Sequence, residues 1–462
     1  MAFLHGVEVI EVDAGARPIE GVSASVIGLL GAALTGPVKV PTLISSRTAG
    51  EEAFGSSGGT IAAAVAAIFE QASAQVVVVN ALDPSVDKTS QAEKEFTLTG
   101  DSLTLDHKYV VASSVVVKSS DGNTPYTVGD DYTVDAAAGG VTRVASGDID
   151  AGDALKVAYD YADAAEVTDA ELVAAAAKFV EAESVTGSKP RILIAPGYTE
   201  HVTRANPAGP PTAAPVTTGL VATAERLRAV IVADGPNTTR ADAIAYRGLL
   251  SSRRVYVVDP GVRLTDAAGA SAAGGGEISD APASARIAGL IVRNDRERGY
   301  WSSPSNRQVL GISGTGRAVD FTLGDASSEA NLLNDAEVAT IIRSPLGGYR
   351  LWGNRTASAD AKWTFLGVVR TADVINESLL RAHLWAVDRN LTATYVEDVV
   401  ESVNDFLRRL QARGAILSGR CWADPALNDA AARDAGRVYF DFEFDPPSPA
   451  ERITFRSQLV SG

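Results

Sequence analysis

The segment VYFDFEFDPPSPAERITFRSQL, residues 438–459, decides how the rest of the chain is organised. Its first half alternates, with Val438, Phe440, Phe442 and Phe444 on one face and Tyr439, Asp441, Glu443 and Asp445 on the other. Period two with one apolar and one charged side predicts a half-buried strand. Pro446, Pro447 and Pro449 end the ladder there, because proline has no N–H to donate and its φ is locked. Alternation resumes with Ile453, Phe455 and Leu459 against Arg452, Thr454, Arg456 and Gln458. A terminal strand on a stiff tether can complete its own sheet or a neighbour's, and the second option turns one fold into a polymer.

Working back from that hinge, two segments have helical periodicity. Val374 to Val387 puts Val374, Leu379, Leu380, Leu384 and Val387 on roughly one face. Tyr395 to Ala412 does so more clearly, through Val396, Val399, Val400, Val403, Phe406, Leu407 and Leu410. Glu397, Asp398, Glu401 and Asp405 fill its first half, and Arg408, Arg409 and Arg413 lie at its end. That split complements the helix dipole on a solvated face; the sharper reading is an Arg-rich end that touches an acidic partner. At the other terminus Val7 to Val12 reads as a short strand and Asp13 to Pro18 as a turn, so the first arm mirrors the last.

Between the arms an Ala-rich helix from Thr60 to Ala72 precedes an apolar strand, Gln75 to Asn80. The unit recurs as Thr168–Glu183 with Arg191–Ala195, Thr217–Leu227 with Ala229–Ala233, and Arg240–Leu250 with Val255–Val258. Val26 to Leu30 is a further core strand, and Ala283 to Val292 a further helix. Helices alternating with continuous apolar strands imply an α/β body with a mostly parallel sheet. From Asp83 to Asp163 the texture changes to short Val-, Thr- and Tyr-rich runs between Gly, Asp and Asn clusters, which predicts a small all-β domain inserted at a surface loop. The reading is thus an α/β multidomain chain. An N-terminal arm spans 1–25, a discontinuous body 26–84 and 163–343, and the inserted β domain 85–162. An α+β C-terminal domain follows at 344–445, with a C-terminal arm at 446–462. AAGASAAGGGE, residues 267–277, reads as a mobile loop.

Composition narrows the function. At 462 residues the chain exceeds one hydrophobic core. A net charge of -16 argues against direct nucleic-acid binding, which needs a basic surface, and keeps a concentrated subunit soluble. A single cysteine, Cys421, excludes a disulfide framework and a cysteine-based zinc site. Val22 to Val38 is too short and too interrupted to span a membrane. The N-terminus has no secretory pattern, so synthesis in a cytoplasm is expected.

Candidate chemistry is thin. Gly55-Ser56-Ser57-Gly58-Gly59 matches the G-x-S-x-G elbow of serine hydrolases, which requires an apolar strand before it; RTAGEEAF at 47–54 is no such strand, and the stretch reads better as a Gly/Ser cap on the following helix. None of the four histidines, His5, His107, His201 and His383, stands out as its general base. GISGTGR at 311–317 lacks the spacing and ending of a phosphate loop, and the Asp-rich spots lack calcium-loop spacing. No cofactor and no metal are expected. Tyr300, Trp301, Trp352, Trp363, Trp385 and Trp422 read as core or interface aromatics.

Several segments in order carry a resemblance: HGVEVIEVDAGARPIEGVSASVIGL at 5–29, PASARIAGLIVRNDRERGYWSSPSN at 282–306, RSPLGGYRLWGNRT at 343–356, NESLLRAHLWAVDRN at 376–390, VESVNDFLRRLQARGAI at 400–416 and YFDFEFDPPSPAERITFR at 439–456. Together they resemble the contractile tail sheath proteins of myophages and R-type pyocins. The resemblance implies a structural subunit, not an enzyme, located in a virion tail and assembled in the host cytoplasm. It implies a self-assembling polymer of stacked hexameric rings around an inner tail tube protein, with baseplate and tail terminator proteins as further partners and no membrane insertion. Its terminal arms add strands to a neighbour's sheet. Carried onto this chain, the exchanging strands are Val7, Val9, Ile10 and Val12, and Ile453, Phe455 and Leu459. Tyr349–Trp352, Trp363–Val369 and Val438–Phe444 become the acceptor sheet, through Leu351, Trp352, Phe365, Val438, Phe440, Phe442 and Phe444. Tube contact falls to Arg408, Arg409 and Arg413. The alternatives are a serine hydrolase acting through Ser57 with an accessory β domain, and a non-contractile virion or baseplate subunit.

Overall fold

A computed structural model describes residues 19–200, 202–203, 212–265 and 278–459. The first arm, with Val7, Val9, Ile10 and Val12 and the Asp13–Pro18 turn, lies outside them, as do the loop 267–277, His5 and His201. The chain divides into two compact units. One holds residues 25–297 and 304–366; the other combines the described part of 1–24 with 298–303 and 367–462.

The larger unit is built on a nine-stranded sheet. Its middle is six parallel strands in the spatial order Gln75–Asn80, Val26–Gly31, Ile192–Ile194, Val230–Asp234, Val255–Val258 and Val338–Arg343. Antiparallel strands finish both edges: Thr42–Ile44 beside Gln75–Asn80, and Tyr349–Trp352 followed by Gln308–Val309 beyond Val338–Arg343. The middle strands are buried on both faces, which is why they read as unbroken Val/Ile/Leu runs rather than as alternation. Helices Asp169–Ala177, Pro215–Leu227 and Arg240–Gly248 contribute Leu172, Leu220 and Tyr246 to one core with Val77, Leu193, Ile231 and Val257. Helices Ile61–Gln71 and Ser284–Arg298 pack so closely that a Cβ on Gly289 would lie 2.7 Å from the Ile68 carbonyl oxygen.

The repeating units fall close to their expected spans, with helices at Ile61–Gln71, Pro215–Leu227 and Arg240–Gly248. The helix expected at Thr168–Glu183 begins at a Thr168/Glu171 capping box and runs as Asp169–Ala177, a 3-10 turn and Ala182–Thr186. Residues 88–162 form two three-stranded antiparallel sheets around a core of their own that includes Val117, Tyr132, Val141, Leu155 and Val157.

Two expectations near the junction fail. Tyr349–Trp352 is a strand, but it pairs with Val338–Arg343 in the body sheet, so the body extends past 344 to 366. Trp363–Val369 is not a strand: a 3-10 turn at Ala361–Trp363 leads into the helix Leu366–Ala382, and Phe365 makes only an isolated bridge to Arg355. The apolar run WTFLGVV suited either structure. Gly367 favours the helix, since a Cβ there would meet the Trp301 carbonyl oxygen at 2.7 Å.

Candidate polymerisation interface

At the top of the body the Gly55–Gly59 stretch has a structural task. Thr60 and Ile61, opening the helix Ile61–Gln71, donate backbone N–H groups to the Ala32 carbonyl at 2.8 and 3.1 Å. Two of the donors that could meet a phosphate at this helix N-terminus are therefore taken by the chain itself. Gly59, at φ +75°, permits this approach, as a Cβ would fall 2.2 Å from the Ala32 oxygen. Ser57 follows the helix Arg47–Phe54, not a strand, and sits exposed in the turn. His107 hydrogen-bonds Tyr159 and stacks on Tyr161, and His383 contacts the Leu379 carbonyl and Ser402. The elbow that would expose a nucleophile is missing. Among the described residues no group of three or more His, Cys, Asp and Glu side chains is placed to hold a metal ion, and no helix is long and apolar enough to cross a membrane.

The smaller unit is different. Its helix Ala393–Ala412 is capped by Thr392, whose side chain accepts from Tyr395 N at 3.1 Å, and it buries Val399, Val403, Phe406, Leu407 and Leu410. These join Ile19, Ile375, Ala415, Ile416 and Cys421 in one small core. On that core lies a two-stranded antiparallel sheet, Ser418–Ala423 with Phe440–Asp445. Gly419, Cys421 and Ala423 face it opposite Phe444, Phe442 and Phe440, while Ser418, Arg420 and Trp422 line the wet side opposite Asp445, Glu443 and Asp441. Phe442 and Phe444 stack at 6.2 Å, and Arg420 pairs with Glu443 at 2.7 Å while covering the Trp422 ring. Burial pushes the Cys421 thiol up to about 11, so it behaves as a small apolar core group.

Of the expected acceptor residues, Phe440, Phe442 and Phe444 stand together here; Val438 precedes the strand, and Leu351, Trp352 and Phe365 belong to the larger unit. The partner strand Ser418–Ala423 escaped the sequence reading, because one cysteine, one glycine and one alanine make a weak apolar face. Ile453, Phe455 and Leu459 are not part of a strand in the single chain and are 71, 91 and 97 % exposed. Leu380, Leu384 and Val387, expected to share one helical face, are exposed: Leu380 lies on the outer side of the helix Leu366–Ala382, and Leu384 and Val387 lie beyond its end.

The arginines also separate. Arg408 pairs with Glu401 at 2.7 Å, and Arg409 pairs with Asp405 and donates to the Ile19 carbonyl at 3.0 Å. Arg370 donates to the Ala24 carbonyl at 2.9 Å and Ser378 accepts from Val22 N at 3.2 Å, so the segment 19–24 is fastened along two helices of its own unit. Arg409 is therefore an anchor for the root of the first arm. Arg413 caps the same helix at its C-terminal end.

Residues 165–357 match the phage tail sheath protein central domain and residues 358–460 the phage tail sheath C-terminal domain. A prophage major tail sheath protein of Pseudomonas aeruginosa is 36% identical over 465 residues, covering 100% of this chain and 97% of its own length. The chain belongs to the phage tail sheath protein family. The tail sheath protein of Burkholderia phage BcepMu is 35% identical over 99% of this chain and 97% of its own, and that of Escherichia phage P2 is 30% identical over 99% and 95%. The fold matches the contracted sheath of an extracellular contractile injection system, with TM-score 0.60 at 14% identity over 99% of this chain and 98% of that one. It also matches the contracted helical sheath of the anti-feeding prophage, with TM-score 0.58 at 15% identity over 99% of both chains. The protein is a structural subunit of a phage tail sheath and not an enzyme.

Proposed function

We propose that this sheath subunit polymerises by lending its terminal segments to the small sheets of neighbouring copies, stacks as hexameric rings around an inner tube, and contracts to drive the tube through a host envelope. The observation that carries this is the pairing, within one unit, of a two-stranded sheet with an exposed, alternating segment tethered by Pro446, Pro447 and Pro449. A two-stranded sheet is marginal alone, and an added strand supplies main-chain hydrogen bonds that hold through large rotations of the subunits. The first arm, with Val7, Val9, Ile10 and Val12, plays the same part from the opposite end. Arg408 and Arg413, at the end of the helix Ala393–Ala412, are the residues offered to the tube, Arg409 being tied to Ile19. Baseplate and terminator proteins cap the polymer.

Removal of residues 447–462 tests the reading. The truncated chain is expected to stay folded by circular dichroism and to run as a monomer, whereas the full chain forms tubes visible by electron microscopy. Tubes of normal length from the truncated chain would sink strand exchange.

A further inference from the structure

The inserted β domain, residues 88–162, is joined to the body by two chain crossings that lie side by side. Its strands Lys88–Thr97 and Ala154–Ala162 pair from Lys88 opposite Ala162 onward, and just below them Asp163 N donates to the Asp87 carbonyl at 3.0 Å. Thr89 Oγ1 adds a bond to the Asp163 carboxylate at 2.9 Å. Two crossings this close make one ribbon, and a ribbon bends and twists about its root. The inserted domain has a core of its own, so its folding does not by itself require a fixed angle to the body. A third point of attachment, away from the ribbon, sets such an angle.

Tyr109 is placed to be that point. Its backbone belongs to the inserted domain, where its N–H donates to the Ala137 carbonyl at 3.4 Å and its carbonyl accepts from Ala162 N at 3.0 Å. Its φ is +55°, a left-handed conformation that a bulky residue rarely adopts and that persists only where the surroundings impose it. The side chain is not part of the inserted domain's core. It packs on the buried cluster Ala32, Leu82 and Ala162, which Leu34 and Tyr198 of the body also cover. Its hydroxyl lies 3.4 Å from where a Cβ on Gly55 would stand, so the Gly55–Gly59 stretch leaves room for it.

The place it reaches is the one a doubly wound sheet gives to a ligand. Gln75–Asn80 and Ile192–Ile194 flank Val26–Gly31 on opposite sides, so the winding of the chain reverses there, and ligands of such folds enter the crevice beyond the carboxyl ends of the strands. Ala32 and Leu34 follow Val26–Gly31, Leu82 follows Gln75–Asn80, and Tyr198 follows Ile192–Ile194. The cluster under Tyr109 is thus the floor of that crevice. We infer that Tyr109 is a peg, seated in the crevice as a tethered ligand would be, and that it carries the inserted domain at one fixed angle to the body.

Pulsed electron–electron resonance tests this on the unassembled full chain, spin-labelled at Ser120→Cys on the inserted domain and Arg226→Cys on the body, both exposed, in a Cys421→Ala background. The parent should give one narrow distance distribution. Tyr109→Phe should keep it. Tyr109→Asn, which tolerates the left-handed backbone but removes the ring, should broaden it. In the Asn variant amide hydrogen exchange at Ala162 and Asp163 should quicken about tenfold, as expected from losing a half-buried aromatic contact, and in the Phe variant it should not. Val117, Leu155 and Val157, in the inserted domain's core, should stay protected in both. A broad distribution in the parent, or a narrow one in Tyr109→Asn, overturns the assignment. So does loss of protection at Val117 and Val157 in Tyr109→Asn, which would make the ring part of the inserted domain's own fold.

Discussion

The body sheet and the small C-terminal sheet solve the same problem in opposite ways. Six parallel strands of the body are covered on both faces, and each edge is finished with antiparallel strands from the same chain. The C-terminal sheet stops at two strands, with one edge closed only by Asn404, whose carboxamide bonds the Cys421 N–H and carbonyl, and the other left with no described neighbour. An open edge is normally a hazard that proteins blunt with charge, bulges or cover. Here the edge is flanked by acids and kept short, features that slow indiscriminate pairing while still admitting a strand of matching pattern and opposite charge. The contrast is between a sheet whose edges are finished within the chain and one that leaves an edge open, a division that fits stability in the first and, on the proposed reading, connectivity in the second.

If that division is real, equal losses of apolar surface should give unequal results in the two places. The largest effect belongs to the body. Ile231 is fully buried in its central strand, so Ile231→Ala should cost about 2–5 kcal/mol by lost transfer energy plus the cavity left behind. The urea midpoint of the unassembled subunit reads this. A change no larger than that of a surface substitution would break the contrast at its stronger end.

The second effect sharpens the same side. Asp234 ends the strand Val230–Asp234 in a fully desolvated position, where its carboxylate accepts from Ser284 N at 2.7 Å and from the Ser284 hydroxyl. Burial first, and then the nearby Glu200 carboxylate, push it up to about 7 from 3.8. Between those values the unfolded chain is ionised while the folded one holds its proton, so stability is full at acid pH and is lost as pH rises through about 7. A gap of about three pH units corresponds to on the order of 4 kcal/mol. Asp234→Asn should flatten this dependence of the urea midpoint between pH 4 and 8. An unchanged slope in the variant would show that another group carries it.

How much of this was legible depends on burial symmetry. Strands buried on both faces, such as Gln75–Asn80 and Val255–Val258, announce themselves as apolar runs, and the alternating face of Phe440, Phe442 and Phe444 was equally plain. Pairing was not. Nothing local distinguishes Tyr349–Trp352 as a body strand from a strand of the next unit, because the choice is made by contact with Val338–Arg343. Trp363–Val369 has apolar residues at spacings that suit a strand or a helix start, and Trp301 decides it through the approach that Gly367 allows. The strand Ser418–Ala423 was missed because its apolar face is only Gly419, Cys421 and Ala423, and Asn404 because its role lies in backbone hydrogen bonds, which side-chain patterns do not encode.

The smallest effect on the isolated subunit is the most informative. Phe455 is 91 % exposed in the single chain, so Phe455→Ser removes no packing there and should change the monomer's urea midpoint by less than about 0.5 kcal/mol. In a polymer joined through this segment the same ring would cover apolar surface beside Phe442, and its loss should weaken each contact by about 2 kcal/mol, or some thirtyfold in the assembly concentration. Light scattering against protein concentration separates the two readouts. A variant that assembles like the parent would mean that the ring serves neither sheet. A variant that is itself destabilised would mean that the segment already belongs to its own subunit, and the division of labour between the two sheets would fail at its weaker end.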